Sequence, residues 1–249
     1  MDIKNIPEHE LARLREKAKE LSGSTTDYQS EYSSLLTRRV NHEPLQYIEE
    51  YVPFYSISLK VDERCLIPRP ETEYLVQIIK DNIESPKKVL DVGTGSGCIA
   101  LMMKSIFPNS EVTGIDISED AIELANENSK LNSLEVSFFQ SNLLENVKET
   151  DHDLIVANLP YIPTENLNEL DREVIDYEPL TALNGGKDGL EIISNLINGL
   201  EERDYKEVNL FLEIDSRKSS ETLELLNSWD EVKLLEDLAE KDRYVFAKR

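Results

Sequence analysis

The sequence predicts an α/β fold: a mostly parallel sheet with helices on both faces and a last strand that runs antiparallel. Three observations carry this. From Lys87 onward, strand-length apolar runs alternate with amphipathic helical stretches, the pattern of parallel strands joined by helical crossovers. Near the end, EVKLLEDLA and RYVFAKR are separated only by the short polar EKD, and so close a pair forms a hairpin that turns the second strand back. The 249 residues, 39% apolar and 31% charged, suffice to bury one full core with a small appendage.

Taken in order, Glu8 to Leu21 places apolar residues at 11, 14, 18 and 21, a narrow helical stripe. Asp27 to Val40 forms a second helix with Tyr28, Tyr32, Leu35, Leu36 and Val40 on one side, after the break SGSTT. Residues 1–45 are therefore expected to be a small N-terminal helical domain that must lean on something else for stability. Residues 46–70 are expected to be a β-hairpin connector, with the alternating VPFYSISLKV as one strand and ERCLIP as its partner. Pro68 and Pro70 end it. A helix then starts with Pro70 in its first turn and Glu71, Thr72 and Glu73 close behind, where acids meet the positive end of the helix dipole.

Residues 71–249 make the main domain. KKVLDVG, SEVTGIDIS, LEVSFFQS, HDLIVAN and VNLFLEI read as its strands; CIALMMKSIF, EDAIELANENSKL and DGLEIISNLINGL read as helices. The closing hairpin is expected to put the last strand at the edge of the sheet.

Charge narrows the partners. With 50 acidic and 27 basic residues the chain carries −23, and its short basic groupings, at Arg38 and Lys87, form no surface for tracking phosphates. Cys65 and Cys98 are the only cysteines, and the histidines, His9, His42 and His152, are scattered; neither a metal site nor a disulfide framework is expected. The N-terminus has no apolar signal region and no apolar run approaches membrane-spanning length. A cytoplasmic protein, monomeric and away from membranes, is expected.

Two stretches carry chemistry. DVGTGSGC, Asp91 to Cys98, follows a strand and opens a helix, and its alternate glycines let the backbone turn tightly and approach a ligand. Asp116 ends the next strand about 20 residues on, where a carboxylate accepts from ribose hydroxyls. Together they point to an adenosine-containing cofactor at Gly93, Thr94, Gly95, Ser96, Gly97 and Asp116. A pyrophosphate would favour the longer GxGxxG loop. The GxGxG form resembles the class I methyltransferases, with their Rossmann-like sheet and S-adenosylmethionine as cofactor.

The second stretch is ANLPYIP, from Ala157 to Pro163. An amide or exocyclic amine has a delocalised lone pair and is a poor nucleophile. The Asn158 side-chain oxygen and the next backbone carbonyl can each accept one N–H and favour growing positive charge. Tyr161 can stack on the flat group and help aim it. Asn158 and Tyr161 are thus the candidate catalytic residues, and Asn158, Leu159, Pro160 and Tyr161 the candidate substrate site. Leu159 stands where the common Asn-Pro-Pro-Tyr motif has its first Pro, and Asn-Leu-Pro-Tyr also resembles ribosomal RNA adenine dimethyltransferases. A protein amide and an RNA base are both open at this point.

EPLQYI (Glu43 to Ile48), RPETE (Arg69 to Glu73), EPLTALNGGKDGL (Glu178 to Leu190) and DLAEKDRYVFAKR (Asp237 to Arg249) are similar to the release-factor glutamine methyltransferases of the HemK/PrmC type. The resemblance covers Glu43 to the end. It implies transfer of one methyl group to the glutamine amide of a Gly-Gly-Gln loop in peptide chain release factors, giving S-adenosylhomocysteine, with no direct contact to nucleic acid. It also implies that Leu143 flanks the adenine, that Asn142 stands near its amino group where such enzymes often carry Asp, and that Arg69, Pro70, Glu71 and Thr72 lie beside the methionine end of the cofactor. The N-terminal domain, which in that family grips the release factor, is shorter here. The alternative is methylation of an adenine amino group in ribosomal RNA.

Overall fold

A computed structural model describes residues 6–23, 27–203, 205 and 207–249. Residues 1–5 of the N-terminal stretch and 24–26 of the expected SGSTT break lie outside the described residues. Helices α1 (Glu8–Ser22), α2 (Tyr28–Val40) and α3 (Leu45–Glu49) share one small core of Leu14, Ala18, Leu35, Leu36, Leu45 and Ile48. Asp27 caps α2 by accepting from the Gln29 N–H at 3.1 Å. The support that the first two helices need is α3, five residues long and too short to show a period in the sequence. Leu21, placed on the α1 stripe by its spacing, is exposed.

The connecting hairpin closes earlier than its sequence suggests. Strands β1 (Tyr51–Phe54) and β2 (Ile57–Lys60) pair antiparallel with Phe54 opposite Ile57, so VPFYSISLKV holds both strands. ERCLIP forms no strand; it is the bend that buries Cys65 and Ile67. The reason is physical. A two-residue turn keeps the alternation in phase, and Tyr55, at φ 52, fills a position where Gly or Asn would have announced a turn.

Helix α4 (Pro70–Asn82) begins at Pro70 with Glu71 and Glu73 in its first turn. The main domain continues through β3 (Lys88–Val92), α5 (Cys98–Ile106), β4 (Glu111–Asp116), α6 (Glu119–Asn132), β5 (Ser137–Gln140) and β6 (Leu154–Ala157). After a long loop containing α7 (Arg172–Ile175) come α8 (Glu191–Glu202), β7 (Asn209–Glu213), α9 (Ser219–Leu225), β8 (Glu231–Glu236) and β9 (Asp242–Lys248). The seven strands lie in the order β5-β4-β3-β6-β7-β9-β8. Strands β5 to β7 pair in parallel, and β9 is antiparallel to both β7 and β8.

The last strand thus runs antiparallel as expected but sits inside the sheet, with β8 at its edge. Burial explains the placement. Tyr244, Val245 and Ala247 of β9 are buried, while β8 alternates exposed Glu231, Lys233 and Glu236 with half-buried apolar residues, the charged profile of a protected edge.

Helices cover both faces, and β6 shows how one strand serves two cores. Leu154 and Val156 join the α4 and α5 side, and Ile155 and Ala157 join the α8 side with Ile193, Leu196, Ile197 and Leu200. The strand order reverses between β3 and β6, and ligand crevices of open α/β sheets form at such a point.

Candidate active site

A cavity of about 400 Å³ opens at the carboxyl ends of β3, β4 and β6, within the size range of small-molecule sites. Its first wall is the glycine loop. The Gly93 and Thr94 N–H groups both donate to the Ile115 carbonyl at 2.9 Å, tying the loop to β4. Gly93 has φ 75, and a Cβ there would stand 2.9 Å from Leu159 Cδ2; only glycine meets both demands. Below the loop, buried Asp91 accepts from the Thr94 hydroxyl at 2.6 Å and the Ala100 N–H at 3.0 Å. Burial pushes its carboxyl up to about 7 against these bonds.

Asp116 lines the cavity at the end of β4. Its oxygens accept from the Gly95 and Ser118 N–H groups, each at 2.9 Å. A carboxylate has about four acceptor sites, so capacity for hydroxyl donors remains. Burial pushes its pKa up, and the backbone donors pull it down. Asn142 and Leu143 line the cavity nearby. The Asn142 amide donates to Glu145 at 2.9 Å, which leaves its carbonyl oxygen as an acceptor.

The second wall rises from β6. Asn158 lines the cavity, and its Nδ2 donates to Thr72 Oγ1 at 3.0 Å. Its Oδ1 takes no partner among the described residues. The Thr72 hydroxyl donates to Glu213 at 2.9 Å, and the Tyr161 hydroxyl reaches the other Glu213 oxygen at 3.5 Å. Leu159 and Pro160 also line the cavity. Behind them, Gly185 donates to the Ile162 carbonyl at 2.8 Å, and a Cβ on Gly185 would lie 2.7 Å from both the Pro160 oxygen and the Tyr161 Cα. Gly185 of EPLTALNGGKDGL is therefore a close-packed brace for the NLPY turn.

Thr72 is the one residue of RPETE that lines the cavity; Arg69, Pro70 and Glu71 do not. Arg69 instead pairs with buried Glu178 at 2.5 Å, and Glu178 also accepts from the Ile67 N–H at 3.3 Å. This pair ties the start of α4 to the loop beyond the NLPY turn. Gly97 and Tyr161 also stand off the lining. Gly97 opens α5 and packs against Phe138 and Ala125; Tyr161 packs beside the α8 core.

Sequence reasoning missed Glu213, Glu178 and Asn128. Buried Asn128 accepts from Lys60 N at 2.7 Å and donates to the Ser96 carbonyl at 2.9 Å, joining the hairpin to the glycine loop. Glu213 offered a signal, an acid closing the apolar run VNLFLEI; Asn128, within a polar helical stretch, offered none. Among the described residues no group of acids, histidines or cysteines is placed to hold a metal.

A mostly parallel seven-stranded sheet, a glycine loop at its switch point and an acid ending the next strand define a class I S-adenosylmethionine-dependent methyltransferase. The same fold is seen in a methyltransferase from Pyrococcus furiosus, which is 20% identical with a TM-score of 0.60 and covers 87% of this chain and 98% of that one. Residues 70–176 match the Methyltransferase small domain family. The release factor glutamine methyltransferase of Thermodesulfovibrio yellowstonii is 36% identical over 232 residues, covering 90% of this chain and 83% of that protein. That of Rhodopirellula baltica is 38% identical over 226 residues, covering 85% of this chain and 76% of that protein. The chain belongs to the release factor glutamine methyltransferase family.

Proposed function

We infer that the protein transfers one methyl group from S-adenosylmethionine to the side-chain amide nitrogen of the glutamine in the Gly-Gly-Gln loop of peptide chain release factors. The observation that carries this is the Asn158 amide, held by Thr72 so that its oxygen is the end left for the cavity. An acceptor there suits a substrate nitrogen that carries hydrogens.

The residues present fit the cofactor. Gly93 to Ser96 hold the loop that would face it, with Gly97 setting the start of α5; Asp116 would accept from the ribose hydroxyls; Asn142 and Leu143 would meet the adenine. Arg69, Pro70 and Glu71 support this end of the site by fixing the helix turn that carries Thr72. When bound, S-adenosylmethionine supplies an electrophilic methyl group on sulfur. Asn158 Oδ1 and the Leu159 carbonyl would each accept one N–H of the glutamine amide, fixing the nitrogen and favouring positive charge as it reacts. Tyr161, which stands off the cavity lining, would act on the site through its hydroxyl at Glu213 rather than by stacking on the amide.

The reading of an RNA base as substrate is disfavoured by charge. A chain carrying −23 repels a polyanion, whereas it attracts a basic protein. Among the described residues no helix is long and apolar enough to cross a membrane. Mass spectrometry of a purified release factor and of ribosomal RNA, each incubated with labelled cofactor, tests the proposal. One methyl group on the Gly-Gly-Gln glutamine and none on RNA is the expected result; label in RNA adenine with unmodified glutamine would reverse it.

A further inference from the structure

We propose that Glu213 is a positioning residue for methyl transfer, acting through the Thr72 hydroxyl to fix which end of the Asn158 amide faces the reacting nitrogen. The proposal rests on the reading that Asn158 accepts from the substrate amide. Three elements meet here: Glu213 ends β7, Thr72 lies in the first turn of α4, and Asn158 follows β6. Glu213 accepts from Thr72 Oγ1 at 2.9 Å, and Thr72 Oγ1 accepts from Asn158 Nδ2 at 3.0 Å. Glu213 and Thr72 are each 2% exposed, so water does not substitute for either partner.

A hydroxyl has one proton to give, and a carboxylate has none. Ionised Glu213 therefore takes the Thr72 proton, and Thr72 Oγ1 can only accept from its other neighbour. That neighbour must present its NH2, which leaves Oδ1 of Asn158 for the substrate. A protonated or amide side chain at 213 loosens this order. It can donate to Thr72, free the hydroxyl proton to turn toward Asn158, and let the Asn158 amide rotate. NH2 would then face the N–H groups of the substrate, donor against donor.

The charged and titratable groups facing Glu213 are Glu71 from α4, Arg243 and Tyr244 from β9, Tyr161 after β6 and Cys98 from α5. Burial pushes the Glu213 carboxyl up to about 7, and the Thr72 bond and Arg243 pull against that rise. Turnover is thus expected to fall as pH drops below neutrality, because the proton-bearing form loses the ordering.

Steady-state kinetics of the full chain with a purified release factor test this, with calorimetry for the cofactor and thermal melts as a folding control. Glu213→Gln should lower kcat by roughly tenfold to a hundredfold, less than loss of the acceptor itself, with cofactor affinity held within about threefold and the acid limb of the kcat profile removed. Thr72→Val should match it, and Thr72→Ser, which keeps the hydroxyl, should recover most of the lost turnover. Wild-type kcat and an unchanged pH profile in Glu213→Gln would overturn the proposal, as would a Thr72→Ser variant no better than Thr72→Val. Failure of the underlying reading looks different: Asn158→Ala would then keep its turnover, whereas failure of this proposal alone leaves Asn158→Ala inactive and Glu213→Gln active.

Discussion

At the ends of β3 and β4 the cavity wall is backbone tied by backbone bonds and one carboxylate, whereas at the ends of β6 and β7 it is a chain of side chains drawn from distant elements. The first wall uses Gly93 and Thr94 N–H groups on the Ile115 carbonyl and Gly95 and Ser118 N–H groups on Asp116. The second runs Asn158 to Thr72 to Glu213, spanning 86 and 141 residues of sequence. The difference suits the roles proposed for the two walls. A cofactor of fixed shape is met by a rigid surface that needs little side chain. In the proposed reaction the nitrogen would meet the Asn158 amide, which can present either end, so that its side-chain hydrogen bonds specify which end faces the cavity.

This contrast breaks first at Asp116. Asp116→Ala should weaken S-adenosylmethionine binding at least about a hundredfold, since two charge-assisted hydrogen bonds of roughly 1.5–3 kcal/mol each are lost. Unchanged affinity by calorimetry would remove Asp116 from the cofactor site. Asn158→Ala should do the reverse, lowering kcat by about a hundredfold or more while cofactor affinity stays near wild type. Equal losses in both measurements would mean that the walls do not divide their work.

A smaller effect tests where the walls touch. Gly93 has φ 75, and a Cβ there would stand 2.9 Å from Leu159 Cδ2, so Gly93→Ala should cost about 1–3 kcal/mol of stability through backbone strain together with the Leu159 contact. Thermal or urea unfolding of Gly93→Ala combined with Leu159→Ala should show a cost below the sum of the single changes. Strict additivity would deny the contact.

The last effect is a slope with pH. Asp91, pushed up to about 7 by burial, binds its proton more tightly folded than unfolded. Its contribution therefore favours folding at acid pH and is lost as pH rises from the ordinary carboxyl range to about 7. The stability difference between wild type and Asp91→Asn should shift in that direction across that window. A constant difference from pH 4 to pH 8 would show that Asp91 ionises freely.

The same contrast governs what could be read in the sequence. GxGxG and Asp116 are legible because the parts of the first wall lie within one strand–helix–strand unit, where spacing maps directly onto geometry. Asn158 and Leu159 are legible as a compact motif. The partner that orders Asn158 is not, because nothing in a linear pattern brings the end of β7 to the first turn of α4. The string RPETE points to Thr72 beside the cofactor but says nothing of the hydrogen bonds that involve it. In the hairpin, Tyr55 at positive φ concealed a turn, so one alternating run hid two strands. The short EKD connection gives the last strand its direction, but a hairpin of two strands does not reveal which member joins the sheet; the charges on β8 settle that only once the neighbouring strand is known.

Chain order and sheet order disagree at that same hairpin, and the disagreement has a consequence during synthesis. Strand β8 leaves the ribosome before β9, yet β9 is the strand that connects it to β7. Until residues 242–248 emerge, β8 has no neighbour in the sheet, and the outer edge of β7, where Leu210 to Glu213 will face Tyr244 to Ala247, stays open. The glycine loop, Asp116 and Asn158 have all been made by then. A nascent chain can thus hold most of a cofactor cavity while presenting an unpaired apolar strand edge, the exposure that invites aggregation in partly folded chains, and the hairpin must dock as a unit to close it.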